Sequence, residues 1–76
     1  MKEYKRISKV TNIKDIPLNQ NIIVSGNIGK GWFLRVPCKI LIENNILTMI
    51  DNNGARGDME INKDLILDFS ILEKTV

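Results

Sequence analysis

The chain reads as an all-β domain, β-rich with at most one short helix, and three observations carry that reading. Residues 36–51, VPCKILIENNILTMID, hold two β-rich runs that meet at Asn44-Asn45. Leu65, Leu67, Phe69 and Ile71 alternate with Ile66, Asp68, Ser70 and Leu72, the period of two that marks a half-buried strand. Turn-forming clusters separate the remaining apolar runs at near-regular intervals. Short strands so spaced predict a small five- to six-stranded antiparallel barrel or roll.

Taken in order, Tyr4–Val10 alternates loosely and carries lysines on its outward positions, as edge strands often do. Tyr4, Ile7, Val10 and Ile13 also recur every three residues, which fits a helix; the strand is the preferred reading. Thr11–Gln20 contains Pro17 and several turn formers and is expected to be a connection or a single helical turn. Asn21–Ser25 (NIIVS) is short, apolar and β-branched, like a buried strand. Gly26–Gly31 (GNIGKG) reads as a loop. Trp32–Glu43 reads as one long strand. Pro37 cannot donate to a ladder, so it is expected to mark an edge or a bend, and a bent strand lets a small barrel turn a corner.

The hairpin fixes a register. Two-residue hairpin turns need positive φ, which Asn tolerates better than any residue except Gly. A turn at Asn44-Asn45 sets Glu43 opposite Ile46, Ile42 opposite Leu47, Leu41 opposite Thr48 and Ile40 opposite Met49. Ile40, Ile42, Leu47 and Met49 then form one apolar patch. The other face carries Lys39, Leu41, Glu43, Ile46, Thr48 and Ile50, a mixed set that is neither core nor ordinary surface. Asn52–Asp58 (NNGARGD) reads as a second loop and Met59–Lys63 as a strand before the last one.

Composition narrows the function. The 76 residues make a single domain, 1–76, near the lower size limit for a self-sufficient core. Cys38 is the only cysteine, so no disulfide forms within the chain; its apolar parity makes it a small buried hydrophobe. There is no histidine, which removes the commonest metal ligand and the commonest general base together. The carboxylates Glu60, Asp64 and Asp68 have neither a partner base nor metal-ligand spacing. No enzyme, metal or cofactor is expected. No apolar run approaches the ~18 residues of a membrane span, and the charged start, MKEYKRISKV, lacks a following apolar signal region. A cytoplasmic protein without membrane contact is expected. Abundant Ile, Asn and Lys, whose codons are AT-rich, point to a low-GC bacterium, a phage or another mobile element.

Charge is uneven. Residues 1–40 hold eight Lys/Arg against two acids, a net +6, and residues 41–76 hold three Lys/Arg against seven acids, a net −4. Such a split marks either a basic binding face or two halves that pair with each other in the fold.

The motifs argue more by exclusion than by assignment. A Walker loop needs Gly-Lys-Ser/Thr opening a helix, but Lys30 is followed by Gly31 and Trp32 opening a strand. The Gly-x-x-Gly of residues 26–29 lacks the helical flanks of a KH clamp. Arg56-Gly57-Asp58 is read as a chance tripeptide in a turn-rich loop. Trp32-Phe33, between Lys30 and Arg35, has the composition of a base-stacking platform with cations nearby; the competing account makes one ring core and lets the other cap the loop.

The leading expectation is a small non-enzymatic protein-binding module, a regulator or inhibitor of a larger protein. The alternative is a single-stranded nucleic-acid binder. Candidate binding residues are Lys30, Trp32, Arg35, Lys39, Leu41, Ile46 and Ile50. Leu41, Ile46 and Ile50 would be half exposed on a barrel closed over the opposite face, and this predicts a homodimer.

Overall fold

A computed structural model describes residues 3–75 of the chain. It contains six strands: β1 (Tyr4–Val10), β2 (Asn21–Ile28), β3 (Gly31–Glu43), β4 (Ile46–Asp51), β5 (Arg56–Glu60) and β6 (Leu67–Lys74). All pair antiparallel in one sheet of order β1-β6-β2-β3-β4-β5. A 3-10 turn at Ile13–Asp15 is the one helical element among the described residues, and the Asn12 side chain caps it by accepting from the Lys14 N–H at 3.2 Å. The all-β reading therefore stands.

Of the barrel-or-roll expectation, the six antiparallel strands are present and a closed barrel is not, because the sheet stays open. Closure needs a last ladder between the two edge strands, and β1 and β5 are not joined. Neither is suited to such a ladder: β5 has five residues, and β1 is interrupted by a register shift between Arg6 and Ser8.

The hairpin forms in the register its sequence dictates. Asn44 and Asn45 adopt φ of 52° and 65°, and all four expected pairs from Glu43↔Ile46 to Ile40↔Met49 are present. Positive φ at both central residues is the turn geometry whose twist matches that of the flanking strands.

The break in β3 lies elsewhere than expected. Register shifts between Val24 and Gly26, opposite Arg35, whose φ is 51°, while Pro37 pairs in line with Ile23. Pro37 is tolerated because its missing N–H is not needed. Ile40 accepts from Asn19 on the β2 side of the strand, so by alternation residue 37 points to the β4 side, where the β4 ladder has already ended at Cys38↔Asp51.

Two loop assignments shrink. Gly26–Ile28 belongs to β2 and the loop is the Gly29-Lys30 turn alone. Gly26 sits in the strand for a steric reason: its φ is 138°, and a Cβ there would stand 2.5 Å from the Asp68 carbonyl oxygen and 2.6 Å from Phe69 Cα. The fifth strand runs Arg56–Glu60 rather than Met59–Lys63. It starts early because the Asp51 carboxylate folds the preceding turn, accepting from the Asn53 and Ala55 N–H groups at 2.8 and 2.9 Å.

One face of the sheet holds the core. Val10, Val24, Ile28, Ile40, Leu47 and Phe69 are almost completely buried there, with Cys38, Met49 and Ile71 beside them. Ile16, from the connection after the 3-10 turn, joins this cluster, and Ile13, Ile22, Phe33, Val36, Ile42, Met59, Ile61 and Leu67 pack around it. The sheet thus folds over its own inner face, and the 11–20 connection covers what remains.

Candidate interaction surface

The outer face of the sheet collects most of the residues expected to bind. Across β3, β4 and β5 the registers stack three rows: Lys39–Ile50–Arg56, Leu41–Thr48–Asp58 and Glu43–Ile46–Glu60. Alternation sends these side chains away from the core. Leu41, Ile46 and Ile50 remain half-buried, and charged residues occupy the corners.

The centre of this grid is polar and ordered. Thr48 is buried, and its Oγ1 donates to Asp58 Oδ1 at 2.7 Å. Arg56 Nε lies 3.3 Å from the same oxygen. The Thr48 hydrogen bond, seconded by Arg56, holds the Asp58 carboxyl below its usual range despite the opposing effect of desolvation. Arg56-Gly57-Asp58 is thus a strand segment whose two charged side chains meet on one face, not a loop.

Trp32 lies far from Leu41 along β3, whereas Lys30, in the β2–β3 turn, borders a groove whose other wall is Asp58, Met59 and Glu60 of β5. From Trp32 to Leu41 is nine residues of β3, about 30 Å of strand at ~3.3 Å per residue. Trp32 is 70% exposed, and Leu34 and Ile66 are exposed as well. Of the two adjacent rings Phe33 is the half-buried one, folded back so closely that a Cβ on Gly31 would come within 2.9 Å of it. Arg35 does not flank Trp32 as a free cation; its guanidinium stacks over the Tyr4 ring at 5.2 Å. The seven candidate residues therefore divide into an aromatic end and an aliphatic grid.

Charges of the two halves of the chain meet in the sheet. Basic β1 pairs with acidic β6: Lys5 lies opposite Glu73, and Lys9 Nζ is 3.4 Å from Asp68 Oδ1. Asp68 also shares a row with Asn27 and Trp32, so a carboxylate stands on the same face as the exposed ring.

Two features escaped the sequence reading. Asn27, beside Trp32, buries its side-chain oxygen with no hydrogen-bond partner among the described residues. On the inner face, a cavity of about 260 Å³ opens near β5, lined by Phe33, Val36, Cys38, Met49, Gly57 and Met59 among others. Cys38 is 3% exposed. Burial, and secondarily the nearby Asp51 carboxylate, push its thiol from 9.0 up to about 11, which makes it a poor nucleophile at neutral pH. No signal in the sequence marks the cavity, because it exists only once β3, β4 and β5 bring Phe33 and Val36 to one side of it and Gly57 and Met59 to the other.

Among the described residues no three His, Cys, Asp or Glu side chains gather to hold a metal ion, and no helix is long and apolar enough to cross a membrane. No family model, curated protein or solved structure matches the chain.

Proposed function

We propose that this protein is a non-enzymatic binding module of the cytoplasm, a regulator or inhibitor that docks on a larger protein through the outer face of β3 and β4. The observation that carries the reading is the strip of Leu41, Ile46 and Ile50, half-buried and framed by Lys39 and Glu43 on a face opposite the core. Apolar side chains ringed by charges are the usual composition of a protein contact, with an apolar centre and a polar rim. In-cell cross-linking in the native host, followed by mass spectrometry, tests it. One protein should be captured by the wild type and lost with Leu41→Lys, while Lys30→Glu leaves capture unchanged. Equal capture by all three would remove the grid from consideration.

A second reading rests on Trp32. An exposed ring next to Lys30 is a stacking surface for single-stranded nucleic acid. Trp32 is also the only tryptophan, so its own fluorescence reports the event. With Lys5, Lys9, Arg35 and Lys39 each meeting a phosphate, the log–log salt slope is about −2.8 at ~0.7 per contact. Two of those cations already have partners, Lys9 with Asp68 and Arg35 with Tyr4, which favours the protein-binding reading. Quenching by oligonucleotide below micromolar concentration at 150 mM salt, weakening with that slope, would reverse the order of the two.

A further inference from the structure

The edge strand β5 has a defined set of free backbone groups. The Ile61 N–H donates to the Asn45 carbonyl at 2.9 Å and the Asp51 N–H to the Ala55 carbonyl at 3.0 Å. The β4–β5 ladder continues in one register between these bonds. Bonded and non-bonded pairs alternate in an antiparallel ladder, so Gly57 and Met59 bond to β4. Arg56, Asp58 and Glu60 therefore turn their N–H and C=O groups to the side away from β4, where a groove separates Asp58 and Glu60 from Lys30, Gly31 and Phe33. Their side chains lie on the outer face. Gly57 and Met59 line the inner-face cavity of about 260 Å³, and a Cβ on Gly57 would meet nothing within 4 Å.

We propose that two copies of this chain join β5 to β5, antiparallel, about a two-fold axis at Asp58. The sequence Arg56-Gly57-Asp58-Met59-Glu60 is self-complementary in this register. Arg56 faces Glu60 of the second copy, twice, giving two opposite-charge cross-strand pairs. Arg56 uses Nε on Asp58 of its own chain, and its terminal nitrogens hold four further donors for the incoming carboxylate. Gly57 faces Met59 of the second copy; each Met59 side chain stays packed on its own core, and the missing Cβ of Gly57 leaves room for the close approach of the two backbones. Asp58 faces its own symmetry mate. Its charge is already met within each chain by Thr48 and Arg56, which lowers the cost of that contact. Six N–H and C=O groups on each edge gain partners, and the unpaired edge disappears.

The other edge does not compete. β1 breaks its register between Arg6 and Ser8 and carries Lys5, Arg6 and Lys9 along its length, features that disfavour strand addition. Pairing at β5 leaves the grid of Leu41, Ile46 and Ile50 open to a different protein, so the proposal stands or falls independently of the docking reading.

Sedimentation equilibrium of the wild type from micromolar to millimolar concentration is expected to give the mass of two chains at the upper end and nothing larger. Either of two results overturns the proposal: one chain throughout, or a ladder of larger species, which would mean head-to-tail pairing of β5 with β1. The register is read by mild oxidation. Residues in a hydrogen-bonded antiparallel pair stand about 5.5 Å apart at Cα, within the disulfide range, so Asp58→Cys should link two chains. Glu60→Cys should not, because it faces Arg56. Linking of Glu60→Cys but not Asp58→Cys rejects the axis. Glu60→Arg should weaken the dimer by about tenfold, and adding Arg56→Glu should restore it, since the exchange re-forms both pairs. Failure of the double variant to recover would remove the charge complementarity on which the register rests.

Discussion

Ile40 and Leu41 are neighbours in β3, yet the first is completely buried and the second stays half in water. Their partners in β4 differ in the same way: Met49 belongs to the core cluster, whereas Ile50 lies half-open on the grid. The two faces of this hairpin share their backbone, ladder and aliphatic composition. What separates them is cover. The sheet curls over its inner face, and Ile13 and Ile16 of the connecting segment pack there. No element lies over the outer face of β3 and β4 among the described residues. Apolar content alone therefore does not assign a face to the core; the direction of curl does, and that direction is fixed by non-local pairing.

The comparison is broken most severely by a charge on each face. Ile40→Asp puts a carboxylate where relative exposure is 0%, with no cation in the core cluster to pair with it. A buried unpaired charge costs several kcal/mol, on the order of the whole stability of a small domain, so this variant should be unfolded by circular dichroism at 25 °C. Leu41→Asp should remain folded and lose about 1 kcal/mol or less. Equal loss in both variants would mean that the outer face is covered in solution.

How much of this could be read beforehand follows the same division. Local rules sufficed for the β3–β4 hairpin, because two asparagines and a period of two specify turn and register together. They sufficed too for β1 and for Phe69 and Ile71 as core. They failed where backbone geometry answers to a distant strand. Gly26 looks like a loop residue, but its conformation is required by β6 passing beside it. Arg35 carries no sign of positive φ, whereas Pro37 does look like a bend and is not one. β5 was displaced because Ala55-Arg56-Gly57 reads as turn until the Asp51 carboxylate is seen to close the turn earlier. Of the candidate surface, Lys39, Leu41, Ile46 and Ile50 were found by parity within one hairpin. The separation of Trp32 from Leu41 follows from spacing along the one long strand and was equally local, whereas the engagement of Arg35 by Tyr4 depends on strand order and had no local signal.

Alkaline titration sharpens the contrast from the inner side. Cys38 keeps its proton in the folded state up to about 11, against 9.0 ordinarily. Between those values the unfolded chain binds fewer protons than the folded one, so stability falls as pH rises and levels off above the folded value. Two units at ~1.4 kcal/mol each amount to about 3 kcal/mol. The measurement is the difference between wild type and Cys38→Ala in urea unfolding at pH 8.5 and 10.5, which isolates the thiol. The wild type should lose more stability across that interval. Parallel losses would place the thiol in contact with water.

The smallest effect probes the buried hydroxyl at the centre of the outer face of β3, β4 and β5. Thr48 is 6% exposed and its hydroxyl is the largest influence holding the Asp58 carboxyl below 3.8. A carboxyl whose folded pKa is depressed contributes stability above its unfolded value and loses it as pH falls through the folded value. That window lies at and below pH 3.8. Thr48→Val keeps the shape of the side chain and removes the donor, leaving Arg56 as the remaining stabilising contact. The Asp58 midpoint, followed by carboxyl carbon NMR, should move up toward its ordinary value, and the acid limb of stability should become shallower. Because Asp58 is open to solvent, the accompanying change in stability at neutral pH should be well below that of the Cys38 titration. An unchanged midpoint would show that Arg56 alone sets the Asp58 charge, and the outer face would then owe its order to ion pairing at the β5 edge rather than to the hydroxyl in its centre.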